Sequence, residues 1–167
     1  LEQNDTAKAI DHFIRSIEND PKFQDPYLQM GKIYSERGDS RAVDFFNGAL
    51  NMNPDDVETM YHLAMHYQEQ KKFDKAMRTY RNILAVDSTH SKVYHNMGYM
   101  LMIYAEDFDE AIEYFDKAIK HQPGYYQAYY NRGYAHELKE EYQKARADYR
   151  RALNIRSNYE KALEGMN

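Results

Sequence analysis

Small and large residues alternate along this chain at helical spacing, and the same arrangement returns about every 34 residues. Gly31, Ala64, Gly98 and Gly133 serve as reference positions. Tyr27, Met60, Tyr94 and Tyr129 stand four residues before them, Met30, Leu63, Met97 and Arg132 one before, and Tyr34, Tyr67, Leu101 and His136 three after. These offsets fall on one face of a helix, with large side chains around a small one. The pattern predicts a first helix in each repeat that buries this face, its small residue admitting a neighbouring backbone. A bulky replacement such as Gly98→Leu is expected to overpack the contact, at about 1 to 3 kcal/mol.

A second helix follows in each repeat, with alanine first, a large residue four later and a third position three beyond. It reads Ala9, Phe13, Ser16, then Ala42, Phe46, Ala49, then Ala76, Tyr80, Ile83, then Ala111, Phe115, Ala118, and finally Ala145, Tyr149, Ala152. Turn signals separate the two helices at Arg37-Gly38-Asp39, Lys71-Lys72-Phe73-Asp74, Ala105-Glu106-Asp107-Phe108 and Lys139-Glu140-Glu141-Tyr142. Pro21, Pro54, Ser88, Pro123 and Ser157 close the repeats at intervals of 33, 34, 35 and 34 residues. The two departures cancel, so the register survives the length of the chain.

Composition narrows the picture without redirecting it. Of the 167 residues 43% are hydrophobic and 29% charged, which fits a folded soluble protein. No run of apolar residues is long enough to span a bilayer, so direct membrane insertion is not expected. Cysteine is absent, which removes disulfides, thiol catalysis and cysteine-ligated zinc. A net charge of -5 gives no electrostatic reason to bind nucleic acid or another acidic surface. The chain starts at Leu1 and enters the pattern halfway through a repeat, so it is expected to be a fragment of a longer protein. Its compartment stays open between cytoplasmic and, had a leader been removed, periplasmic or extracytoplasmic.

The small residue preceded by a large one in the first helix, the Ala-x-x-x-Phe/Tyr-x-x-Ala run in the second and the closing proline together resemble the tetratricopeptide repeat family. The segment from Ala111 to Ala118 followed by Pro123 carries it most fully. The resemblance implies an all-α fold, a right-handed superhelix (α-solenoid) of stacked antiparallel helix pairs. It comprises a half repeat at about 1–23, four repeats at about 24–56, 57–90, 91–125 and 126–159, and a closing helix at about 158–166, as one domain. Met60, Arg132, Ile83, Ser88 and Ser157 depart from the family's pattern. Arg132 and His136 point to a more polar first helix in the last repeat.

In this family the first helices line a concave groove, which the resemblance assigns to the face opposite the packing face. Along it stand Asp25, Leu28, Gln29, Lys32 and Ser35, then Glu58, Tyr61, His62, Met65 and Gln68. The third repeat supplies Lys92, His95, Asn96, Tyr99 and Met102, and the fourth Gln127, Tyr130, Asn131, Tyr134 and Glu137. Tyr61, Tyr99, Tyr130 and Tyr134 with Met65 and Met102 stand where the fold has no internal need of large apolar residues, and they suit an extended or helical peptide. Gln29, His62, Asn96 and Asn131 form a ladder of groups that both donate and accept hydrogen bonds. The expected peptide-binding residues are Tyr61, His62, Met65, Lys92, His95, Asn96, Tyr99, Met102, Tyr130, Asn131 and Tyr134.

Some family members clamp a chaperone tail's terminal carboxylate with lysine, asparagine and arginine on three consecutive repeats. Here the corresponding positions hold Leu28 and Lys32, His62, then Lys92 and Asn96, and one repeat later Tyr61 and Met65, Asn96, then Gln127 and Asn131, so the pattern fails. His62 and His66 lie four apart, at metal-ligand spacing, with His95 on the next first helix, but no glutamate follows His62 as a zinc protease motif requires. No phosphate loop or nucleophile elbow is present. No catalytic residue, metal or cofactor is therefore expected.

The leading expectation is a non-catalytic module that binds a peptide segment of a protein partner. Two alternatives stand beside it. One is a homo-oligomeric scaffold assembling through its ends, where Ile10, Phe13, Ile14 and Ile17 expose one side of the first helix. The other is a regulatory or docking region of an enzyme whose catalytic domain lies elsewhere.

Overall fold

The periodicity is realised as helix pairs. The structure, a computed structural model, describes residues 2–166. The helices are α1 (Glu2–Asn19), α2 (Gln24–Glu36), α3 (Arg41–Met52), α4 (Val57–Glu69), α5 (Phe73–Val86), α6 (Ser91–Met100), α7 (Phe108–His121), α8 (Tyr126–Leu138), α9 (Tyr142–Ile155) and α10 (Glu160–Glu164), with a π-helical turn at Leu101–Ala105 between α6 and α7. The described residues contain no strand. The chain forms two compact units, Leu1–Ser88 with α1 to α5 and Thr89–Asn167 with α6 to α10. In the first unit α2 packs chiefly on α3 and α4 on α5; in the second, α6 packs on α7 and α8 on α9.

Each pair is locked by one large ring from the second helix. Phe46, Tyr80, Phe115 and Tyr149 are almost wholly buried, as are Ala42, Ala76, Ala111 and Ala145 one turn before them. The small reference residue of the first helix is what admits the ring. A Cβ added to Gly31 would stand 2.5 Å from the Phe46 ring, and one added to Gly98 would meet Phe115 at 2.9 Å and the Ala111 carbonyl oxygen at 3.0 Å. These distances are too short for a side chain, so the expected overpacking penalty has a concrete cause. Side-chain capping is sparse among the described residues: Asp107 accepts from the Glu110 N–H at 3.0 Å, Asp39 from the Arg41 N–H at 2.9 Å, and Asp56 from the Thr59 hydroxyl. Burial of an amphipathic face carries these short helices instead.

The turns within the repeats share one geometry. Gly38, Lys71 and Glu140, each seven residues after its reference position, take left-handed backbone, with φ of 65°, 56° and 60°. The next N–H in each turn donates back to the carbonyl three after the reference: Asp39 to Tyr34, Lys72 to Tyr67 and Glu141 to His136. In the third repeat the left-handed residue is Glu106, eight after Gly98, and Asp107 N–H reaches Leu101 O at 3.1 Å. The π turn at 101–105 takes up the additional residue. This is the origin of the one 35-residue interval.

Arg132 stands where the other repeats carry Met30, Leu63 and Met97. It is not a solvated replacement. Its Nε donates to Asp148 Oδ2 at 2.8 Å, its Nη2 to Asp148 Oδ1 at 2.5 Å and its Nη1 to Asp116 Oδ1 at 2.5 Å. Asp148 is 6% exposed, and its bidentate bond is the main reason the guanidinium is held more firmly protonated than usual. An ion pair on α8 and α9 thus replaces an apolar contact. His136, also buried, bonds through Nδ1 to Glu141 at 2.7 Å and ties the last turn to its helix.

Candidate functional site

The face of α6 and α8 that holds the largest share of the expected groove residues borders the helix-pair seam. At its centre His95 Nε2 lies 2.8 Å from Asn131 Nδ2, and His95 Nδ1 lies 3.3 Å from Asn96 Oδ1. Both contacts are satisfied by a neutral ring carrying its proton on Nδ1. The ring packs against Tyr125 and Phe115, with centroids 4.9 and 5.8 Å away. Burial lowers its pKa, and the Asn96 bond opposes that only in part. Asn96 and Asn131, both half-buried, are thereby held across α6 and α8 in a fixed orientation.

The tyrosines divide into two groups by offset. Residues three before the reference lie on the locking ring of their own repeat: Tyr61 on Tyr80 at 6.3 Å, His95 on Phe115 and Tyr130 on Tyr149 at 5.5 Å. Leu28 occupies the same place in the first repeat and is buried in its core. Tyr61 and Tyr130 therefore have an internal packing role, contrary to the expectation that the fold makes no use of large residues there. Tyr99 and Tyr134, one after the reference, are half-buried and pack on the cluster of Met102, Ala111, Phe115 and Ala135. Tyr130 and Tyr134 stack with planes 1° apart and centroids 6.4 Å apart.

Residues four after the reference answer the chemistry of the locking ring. Where that ring is tyrosine its hydroxyl needs an acceptor, and Tyr80 donates to Gln68 Oε1 at 3.0 Å and contacts Met65 Sδ at 3.2 Å, while Tyr149 donates to Glu137. Burial first, and the Glu137 carboxylate second, push the Tyr149 hydroxyl pKa far up. Where the ring is phenylalanine, as in the third repeat, no such acceptor is needed. Met102 is the residue there, and it is 2% exposed. Its expected place on the open face is corrected: the π turn slips the register by one, so Met102 is buried as Tyr34 and His136 are in their repeats.

In the first unit Tyr61, His62 and Met65 lie on α4. His62 stacks on Phe46 at 6.3 Å, and the Lys32 ammonium reaches Glu58 at 2.6 Å. Gln29 donates within its own helix to Asp25 at 3.1 Å. His66 is buried with Nδ1 3.0 Å from Ser35 Oγ and with no hydrogen-bond partner at Nε2. Among the described residues no three His, Asp or Glu side chains converge as a metal site would require. Lys92 is exposed at the start of α6.

Two residues of the α6–α8–α10 face lay outside the sequence reading. Tyr125 packs on His95, and Tyr159 meets Tyr130 at 5.3 Å and 86°. Both stand eight before the reference register, as residue 125 relative to Gly133 and residue 159 one repeat later. The period would have linked them had the alignment been extended beyond the helix start.

Two sequence profiles described as tetratricopeptide repeat match residues 58–88 and 103–161, together more than half of the chain. The chain belongs to the tetratricopeptide repeat family. Human Tetratricopeptide repeat protein 6 is 26% identical over 161 residues, covering 93% of this chain and 30% of that protein. The chain thus spans about a third or less of the length of the curated relatives it matches first. A crystal structure of MamA superposes with a TM-score of 0.83 at 23% identity, covering 96% of this chain and 94% of that one. The crystal structure of PilW, a type IV pilus biogenesis factor, gives a TM-score of 0.73 at 26% identity over 83% of this chain and 64% of that one. The tetratricopeptide fold is an α-solenoid, and such repeats form protein–protein interaction modules, typically non-catalytic scaffolds. No helix among the described residues is long and apolar enough to cross a membrane.

Proposed function

We propose that this tetratricopeptide module binds an extended peptide segment of a partner protein on the face of α6 and α8. The observation that carries the reading is the His95 relay, which fixes Asn96 and Asn131 as neighbouring amides beside Tyr99 and Tyr134. Preoriented amides can bond a peptide backbone whatever its sequence, and the flanking rings offer contact area at low entropic cost. Lys92 at the edge adds a single positive charge. His95 and Tyr130 act as supports rather than contacts, since both are packed inward. On α4 of the first unit Tyr61, His62 and Met65 are half-buried, packed on Tyr80 and Phe46, and act chiefly as supports. Contacts of this kind usually give affinities near 1 µM, about -8 kcal/mol.

The test uses peptides selected from a displayed random library against the full chain. Tyr99→Ala and Tyr134→Ala, singly and together, are expected to weaken the selected peptides by about tenfold or more, while far-ultraviolet circular dichroism stays unchanged. Undiminished binding by the double variant would remove the site from this face.

A second reading, assembly of copies through α1, is favoured by Ile14, which is 42% exposed. Ile10 and Phe13 of the same helix pack on the core of the first unit, which leaves a narrower apolar strip than the sequence suggested. Sedimentation showing the monomer mass at all concentrations would exclude it.

A further inference from the structure

The turns joining first to second helices differ in chemistry between repeats. Five residues after the reference stand Glu36 and Glu69 in the first two repeats, but Ile103 and Leu138 in the last two. Ile103 and Leu138 are 40% and 42% exposed, and Tyr104 beside Ile103 is 45% exposed. At the left-handed position the first two repeats carry Gly38 and Lys71, and the last two carry Glu106 and Glu140. An acidic side chain therefore projects from each turn of the second unit, where a glycine would adopt the same backbone without strain. Glu106, Glu110 and Glu140 are exposed and form no ion pair within the described residues. The Lys139–Asp109 ion pair bridges the fourth repeat's turn and the start of α7, directly after the third repeat's turn, so the apolar and acidic positions lie along one edge.

The π turn contributes directly to this edge. Its additional residue buries Met102 and leaves Ile103 and Tyr104 outward. The fold does not require a π turn at this place, because α2, α4 and α8 reach the same turn geometry without one. Insertions of this type are frequent where a surface has a use.

We infer that the turn edge of the second unit, formed by Ile103, Tyr104, Glu106, Leu138 and Glu140, is a docking surface for a basic amphipathic helix of a partner protein, separate from the α6–α8 face. Leucine-type side chains of the partner cover Ile103, Tyr104 and Leu138, and its lysines or arginines meet Glu106, Glu110 and Glu140. Charge selects the occupant: an acidic segment or an anionic bilayer is repelled by the same three carboxylates. The surface sits on a chain of net charge -5, so a second copy is also disfavoured on average.

The probe is a fluorescent amphipathic peptide of leucine and lysine, with leucine at i, i+3, i+4 and i+7, titrated into the full chain. A matching peptide of leucine and glutamate serves as control. Leu138→Glu installs the residue the first two repeats carry, Ile103→Glu replaces a side chain that is already 40% exposed, and Glu106→Lys with Glu140→Lys installs that of the second repeat, so both double variants are compatible with the fold. Each is expected to weaken the lysine peptide by at least about tenfold, with no binding of the glutamate peptide. A sequence-remote charge reversal on the first unit, Asp44→Lys with Asp55→Lys, both exposed, is expected to leave it within about twofold. The inference is overturned if the lysine peptide fails to bind, if the edge variants bind it unchanged, or if the remote reversal weakens it equally and reveals bulk attraction. A sedimentation mass that halves in Ile103→Glu/Leu138→Glu would also overturn it, by assigning the edge to a second copy.

Discussion

His95 links stability to the candidate site. Its ring is neutral between two amides, and protonation would set a second N–H against the Asn131 donor. The folded-state pKa lies below the ordinary value of 6.5 because the ring is buried. The unfolded chain therefore takes up the proton first as pH falls, so stability is full above about 6.5 and declines from there toward the lower folded value. His62 and His66 are lowered by burial as well and act in the same direction. Asp39 acts in a lower window, between 3.8 and about 2, because Arg41 hydrogen bonds hold its carboxyl down. Thermal unfolding followed from pH 7.5 to pH 5 should show a falling Tm, with a shallower fall in His95→Gln. An identical pH dependence in that variant would show that His95 stays uncoupled from folding.

At the scale of the element, the π turn accounts for the places where pattern and structure part. Deleting Ile103 restores a 34-residue interval, and the expected result is an ordinary α-helical end with Glu106 seven residues after Gly98. Leu101 then takes the buried place and Met102 turns outward. Leucine and methionine exchange at little cost, so stability should change by less than about 1.5 kcal/mol. Denaturant unfolding and a structure of the deletion check this; loss of cooperative folding would mean that the π turn is needed by the fold itself. The helix pairs, their locking rings and their small reference residues were legible because each recurs several times at fixed offsets. Met102 was misplaced because one additional residue, detectable only as a 35-residue interval, can be absorbed in a loop or in a helix. Periodicity does not distinguish the two.

Across the whole molecule, repeated positions carry the fold and unrepeated ones carry what differs between repeats. The assignment of Tyr99, Asn96, Asn131 and Tyr134 to one helix face followed from offsets alone. Their mutual arrangement did not, since the His95 bridge joins residues 36 apart and depends on which tautomer its neighbours favour. Nor was the inward role of Tyr61 and Tyr130 legible, because an offset of minus three lies on the border between the packed and open faces of the helix. The replacement of an apolar contact by Arg132 and Asp148 was visible only on one side, as a departure at Arg132. The central claim is that a partner peptide lies along α6 and α8. Backbone amide chemical-shift mapping of the full chain, titrated with a library-selected peptide, tests it most directly. Shifts clustered at Asn96, Tyr99, Asn131 and Tyr134 and saturating together are the predicted result, and shifts confined to α7 and α9, with that cluster unmoved, would contradict it.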